Sequence, residues 1–75
     1  MDVYYQFVDF NKSNGDFFYH ANLYANIGGV GYVVDPTWDL VMRKDDYISY
    51  ISSIYGVTPN NVESGMRTEN TPFNR

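Results

Sequence analysis

The sequence predicts an α+β protein, in which a small antiparallel sheet of three or four strands packs against one main helix near the C-terminus. Residues 2–10 and 16–27 are rich in β-branched and aromatic residues, as strands usually are. An Asn-Gly pair, the strongest short hairpin signal, lies between them at Asn14-Gly15. Residues 46–55 carry apolar side chains at the spacing of one helix face.

The first two strands are expected to form a β-hairpin with Asn14 and Gly15 at the centre of a two-residue turn. Phe10 then faces Tyr19, and the alternation of side chains sorts the hairpin into two faces. The predicted core face carries Tyr4, Gln6, Val8, Phe10, Phe17, Tyr19, Ala21, Leu23, Ala25 and Ile27. The predicted outer face carries Val3, Tyr5, Phe7, Asp9, Phe18, His20, Asn22, Tyr24 and Asn26.

Residues 28–31 contain three glycines and should form a turn or bulge before a third strand at residues 32–34. Two interpretations remain for the next segment. Asp35-Pro36-Thr37-Trp38 is either a tight turn that leads into a fourth strand at residues 39–43, or the start of one long helix that Asp35 caps. The first is favoured, because residues 41 and 42 suit a strand.

The firmest element is a helix over residues 46–55, with Asp45 as its N-cap and Gly56 as its C-terminal stop. Thr58 followed by Pro59 resembles a second helix start, with Thr58 as cap. From residue 64 onward the sequence is polar and has no period, so we expect a compact domain at residues 1–63 and a flexible tail at 64–75. Phe73 could anchor that tail on a partner.

Length and composition restrict the class of protein. A chain of 75 residues can form only one domain with a modest core. It contains no Cys and one His, so neither a disulfide nor a structural zinc site is expected. The N-terminus has no basic segment before an apolar one, and no apolar run approaches about 18 residues, which predicts neither a signal peptide nor a membrane span. We therefore expect a cytoplasmic protein.

Charge indicates the kind of partner. Residues 1–63 hold eight acidic side chains against three basic ones, a net charge of −5. Nucleic-acid-binding proteins normally carry a clustered basic face, so direct binding of nucleic acid is not expected. An acidic surface would instead be attracted to a protein partner with a basic surface.

Catalytic chemistry has little support in the sequence. His20 would face Asp9 in the predicted hairpin, but no nucleophile is identifiably placed beside them, and cross-strand charge pairing explains the arrangement. The glycines at residues 28–31 lack the Lys-Ser/Thr that a phosphate loop requires. We predict no enzymatic activity, no catalytic residues, no cofactor and no metal site.

Two groups of residues are candidates for binding. The first is acidic, with one exposed tyrosine on the helix, and would contact Arg or Lys of a partner: Asp35, Asp39, Asp45, Asp46 and Tyr50. The second is an aromatic set on the outer hairpin face, which is either covered by a helix of this chain or exposed for binding: Tyr5, Phe7, Phe18 and Tyr24.

The sequence therefore supports two functional hypotheses. The first is a small acidic inhibitor or adaptor that occupies a basic, nucleic-acid-binding surface of a partner protein. Short, acidic, Cys-free chains of this kind are often encoded by phages and mobile elements. A phage-encoded protein would work in the host cytoplasm, for instance against a defence system. The second is a structural subunit whose aromatic sheet face associates with itself, as a homodimer or a larger oligomer.

Overall fold

The chain forms five strands and two helices in the order β1 (Asp2–Asn11), β2 (Phe17–Ile27), β3 (Val30–Asp35), β4 (Leu40–Arg43), α1 (Lys44–Tyr55), α2 (Pro59–Ser64) and β5 (Met66–Thr68). These elements are those of a computed structural model, which describes residues 2–69. The predicted α+β class is confirmed. The prediction of three or four strands and one main helix near the C-terminus is wrong in detail, because the sheet has five strands and the longer helix lies mid-chain.

The sheet is antiparallel throughout, with the strand order β4-β3-β2-β1-β5. The first four strands follow one another as neighbours, so β4 lies at one edge. The chain then passes through α1 and α2 and returns as β5 beside β1, at the opposite edge. This connection places both helices against the same face of the sheet, where they enclose the core.

The hairpin between β1 and β2 forms as predicted, but its register differs by one residue. Gly15 is the only residue of the loop with a positive φ, at 92°. Its amide donates a hydrogen bond to the carbonyl of Lys12 at 3.1 Å. The connection is therefore a three-residue loop over residues 13–15 rather than a two-residue turn. As a result Phe10 pairs with Phe18 instead of Tyr19, and every side chain of β2 lies on the face opposite to the predicted one.

The core lies between the sheet and the helices. Val8, Phe10, Phe18 and Val33 supply the sheet side, while α1 contributes Tyr47, Ile48 and Ile51 and α2 contributes Val62. The rings of Phe10 and Phe18 stack with their centroids 4.7 Å apart, as facing residues on adjacent strands can. Trp38 is partly buried and packs against this cluster.

Residues 35–44 adopt the turn-and-strand alternative. Oδ1 of Asp35 accepts a hydrogen bond from the Trp38 amide at 2.9 Å, which closes the turn before β4. Helix α1 begins at Lys44 after an N-cap at Arg43, so the prediction of Asp45 as N-cap is wrong; Asp45 lies in the first turn. Gly56 ends the helix in the left-handed conformation, as predicted. Within residues 2–69, neither helix has the length and apolar character needed to cross a membrane.

The segment after Gly56 contains more structure than the sequence indicates. Thr58 caps α2 as predicted, since its Oγ1 accepts from the Asn61 amide at 3.2 Å. Met66–Thr68 then adds a fifth strand to β1, within the segment from residue 64 for which the sequence predicts a flexible tail. The anchor proposed at Phe73 lies outside the described residues.

Candidate protein-binding surfaces

One face of the sheet carries apolar side chains and faces away from both helices; we call it the open face. Pairing between the strands places one set of residues there, because side chains alternate between faces. Its large apolar members are Tyr5 and Phe7 of β1; Phe17, Tyr19, Leu23 and Ile27 of β2; Tyr32 and Val34 of β3; and Val41 of β4. In the described part of the chain, the helices and the core cluster lie on the other side.

Several of these side chains are strongly exposed. Val41 is 67% exposed, Phe17 61%, Tyr19 60% and Ile27 48%. They lie at both ends of β2 and on the edge strand β4, and the exposed Tyr5 and the partly exposed Leu23 and Val34 lie between them. Single exposed apolar residues are normal on a protein surface, but a contiguous patch of this extent usually marks an interaction site.

The open face carries few charges. On the strands, its charged residues are Asp9, Arg43 and Arg67. Nη1 of Arg67 lies 2.6 Å from Oδ2 of Asp9, and its guanidinium lies over the Phe7 ring at 5.5 Å from the centroid. Two of the three charges therefore neutralise each other, and Arg43 leaves the strand residues of the face with a net charge of +1.

The structure divides the four residues of the predicted aromatic face between the two sides of the sheet. Tyr5 and Phe7 lie on the open face, but Phe18 is buried in the core and Tyr24 lies on the helix side. Phe17 and Tyr19 take their place on the open face. The sequence could have indicated them only through the correct hairpin register, because Phe17 and Tyr19 flank Phe18 in the chain and a shift of one residue exchanges their faces.

The structure does not bring the predicted acidic set together. Asp45, Asp46 and Tyr50 are exposed on the first two turns of α1, and Asp46 and Tyr50 are four residues apart, on one helix face. Asp39 is also exposed, but it lies at the opposite end of β4, about 13 Å away along the strand. Arg43 and Lys44 immediately precede Asp45 and Asp46 in the chain, so this end of the molecule has mixed charge.

Asp35 does not belong to any exposed surface, so its prediction as a contact residue is wrong. It is 1% exposed and lies beside Gln6 and Asn22 in a row of buried polar residues across three strands. Its Oδ2 accepts from Nε2 of His20 at 2.5 Å and from Nδ2 of Asn22 at 3.4 Å, in addition to the Trp38 amide on Oδ1. The carboxylate holds three segments together and is structural.

His20 completes this cluster. The sequence places His20 opposite Asp9, but in the structure it pairs across the strands with Val8, and its carboxylate partner is Asp35. Its ring stacks on Trp38 with centroids 4.1 Å apart and an angle of 10° between the planes. The sequence could not show this pair, because Asp35 and Trp38 come close to His20 only when β3 and the β3–β4 turn pack beside β2.

Tyr47 reaches the same cluster from α1. Its hydroxyl accepts a hydrogen bond from Nδ2 of Asn22 at 3.2 Å, and the side chain is fully buried. Burial raises the pKa of the Tyr47 phenol from 10.0 to about 12, because a buried phenolate would lose its hydration, and nearby Asp35 adds to the rise. This polar cluster is packed as part of the core and is not a surface site.

A depression of about 360 Å³ opens between the open face and the β3–β4 turn. Leu23 and Ala21 form part of its wall on the sheet, and Pro36 and Thr37 form the wall on the turn. A partner side chain could insert there, since anchor residues at interfaces commonly fill such pockets.

Comparison with known proteins gives no similar chain: no family model matches the sequence, and no curated protein or solved structure does so.

Proposed function

We propose that this protein is a protein-binding module that acts through the open face of its sheet. The observation that carries the proposal is the distribution of exposed apolar side chains, which extends from Phe17 and Tyr19 to Ile27 and Val41. Large aromatic groups supply much of the free energy at protein interfaces, and they do so when they cluster in one well-packed patch.

The charge distribution supports the same surface. The chain has a net charge of −4, yet the strand residues of the open face are nearly neutral overall. Charged residues are depleted at the centre of interfaces, because each buried charge must be desolvated. The acidic residues Asp45 and Asp46 lie on α1, on the other side of the sheet, where they stay in water.

Site-specific photo-crosslinking in the cell that makes the protein tests this function. A photoreactive phenylalanine analogue at Tyr19 should give a covalent protein adduct, since this ring would lie inside the interface. The same group at Tyr50, an exposed tyrosine on α1, is the matched control and should give little adduct. Adducts formed only from position 50, or no protein adduct from position 19, would contradict the proposal.

A second candidate function is the inhibitor or adaptor that occupies a basic surface. It is supported by the joint exposure of Asp45, Asp46 and Tyr50 on the first two turns of α1, where carboxylates flank an aromatic ring. The combined substitutions Asp46→Lys and Tyr50→Ala should then abolish binding to a basic partner while Tyr19→Lys leaves it intact. The opposite result would assign binding to the open face.

A further inference from the structure

We infer that the occupant of the open face is a second copy of this chain, packed sheet against sheet about a two-fold axis. This inference rests on the proposed function and names the partner. Three properties of the face support it: its area, the spread of its exposed side chains and the placement of the charges.

The area of the face is close to what a stable dimer needs. The five strands contain 10, 11, 6, 4 and 3 residues. With a rise of about 3.3 Å per residue and strands about 4.8 Å apart, they cover roughly 540 Å² of sheet plane. Projecting side chains make the accessible area larger than the plane. It therefore approaches the share of about 800 Å² that each partner contributes to an interface of standard size.

The exposed side chains are too widely spread for a narrow ligand. Phe17 and Ile27 lie at the two ends of β2, about 33 Å apart along the strand, and Val41 lies two strands away. A bound helix is only about 10 Å wide and would leave one end or one edge of the patch in water. A second sheet covers the whole patch, and sheets pack face to face at about 10 Å. A second copy of this chain supplies a surface of that shape.

The charges also permit self-association despite the net charge of −4 on each copy. Two stacked sheets place the acidic residues of α1 on opposite outer surfaces. One sheet-to-helix distance of about 10 Å in each copy and the gap of about 10 Å between the sheets make that separation about 30 Å, which exceeds the Debye length of about 8 Å at physiological ionic strength. The α1 aspartates of the two copies would therefore be screened from each other.

The solution mass of the full chain, measured by light scattering over a range of concentrations, tests this inference. We expect twice the mass of the 8.7 kDa chain. Tyr19→Lys and Val41→Lys should each weaken the dimer at least about 100-fold, because a substitution occurs twice in a two-fold interface. Tyr50→Lys and Ile54→Lys, at exposed apolar positions on α1, are the matched controls and should remain dimeric. Circular dichroism should show that all four variants stay folded.

The outcomes separate this inference from the proposed function. Suppose that the chain is a monomer at every concentration and that position 19 still crosslinks to a different protein. This result would overturn the inference and leave the proposed function standing. A monomer without any adduct from position 19 would overturn both. A dimer that the α1 variants dissociate and the sheet variants do not would also contradict the inference.

Discussion

At the scale of single residues, Tyr47 shows how burial changes the chemistry of a side chain. Its phenol has a pKa of about 12 in the fold, against 10.0 ordinarily. The unfolded chain therefore loses this proton first as the pH rises. The contribution of Tyr47 to stability is complete below pH 10 and is lost between pH 10 and 12, by about 2 to 3 kcal/mol in total.

Two measurements check this expectation. Urea unfolding between pH 9 and 12 should show the loss, and it should be smaller in Tyr47→Phe, which has no phenol to ionise. Titration of tyrosinate absorbance should show one late ionisation in the native chain that the variant lacks. A late step that persists in Tyr47→Phe would assign the raised pKa to another tyrosine.

Asp35 is a second residue whose role follows from burial. Its carboxylate accepts hydrogen bonds from His20, Asn22 and the Trp38 amide, so Asp35→Ala leaves three donors without their acceptor. We expect a loss of about 2 to 5 kcal/mol in the free energy of unfolding, measured by denaturant titration. Asp45→Ala, an exposed aspartate of the same predicted binding set, should lose less than about 1 kcal/mol. Similar losses in the two variants would contradict the structural role.

Gly65 is required because the chain passes very close to β1 there. A Cβ atom at this position would collide with the backbone carbonyl oxygen of Asp9. The backbone amide of Asp9 also donates a hydrogen bond to the Gly65 carbonyl at 3.0 Å. Gly65→Ala should therefore lower the free energy of unfolding by about 1 to 3 kcal/mol, the usual range for overpacking. Ser64→Ala, one residue earlier and exposed, is the control and should change little. Equal stability in both variants would show that the two segments are not in close contact.

At the scale of elements, the hairpin shows what a one-residue difference in a loop does. Asn14-Gly15 predicts a two-residue turn, but the loop takes three residues. The side chain of Asn14 instead accepts a hydrogen bond from the Asp16 amide at 3.0 Å. Because side chains alternate strictly along a strand, this shift exchanges the two faces of β2. Phe18 enters the core and Tyr19 goes to the open face.

Engineered disulfides can test this register, since the natural chain has no cysteine. In the structure Asn11 pairs with Phe17, so Asn11→Cys with Phe17→Cys should oxidise readily within one chain. Lys12→Cys with Phe17→Cys is the matched control, because residues 12 and 17 would face each other if the loop were a two-residue turn. In the structure these two side chains lie on opposite faces, and no disulfide should form within the chain. Mass spectrometry after mild oxidation distinguishes the two results.

The helices were more predictable than the sheet, because their signals are local. Gly56 and Thr58 mark a helix end and a helix start by their own conformational preferences. Strand β5 carries no such signal. Met66–Thr68 is a strand because α2 delivers it beside β1, where it gains backbone partners. Its formation depends on a contact with residues about 60 positions earlier in the chain.

At the scale of the whole molecule, the structure separates apolar from acidic surface. The open face lies on one side of the sheet, and the aspartates of α1 lie on the other. If two copies associate through the open face, their net charges of −4 oppose the association weakly. Raising the salt concentration screens that repulsion and should tighten the dimer, as measured by sedimentation equilibrium.

An interface based on charge would respond in the opposite direction. Binding of a basic partner by Asp45 and Asp46 should weaken as salt screens the attraction. A homodimer that dissociates at high salt would therefore contradict association through the open face.

The candidate site could be predicted only in part. The sequence alone shows an excess of aromatic residues, and it places Tyr5 and Phe7 on an outer face. It does not show that Phe17 and Tyr19 complete that face, because their orientation depends on the hairpin register. It also suggests Asp35 as a contact residue, since a carboxylate beside a turn is usually exposed. The burial of Asp35 depends on strands and a turn that meet only in the folded chain.

The sequence by itself determined the α+β class, the hairpin, the helix from its apolar stripe and the ends marked by Gly56 and Thr58. These features follow from local conformational preferences and from the periodicity of apolar residues. Only the tertiary structure decided which rings of β2 are core and which are exposed, that His20 pairs with Asp35, and that residues 66–68 close the sheet. Those outcomes depend on the register between strands and on contacts between distant segments, and no local pattern encodes either.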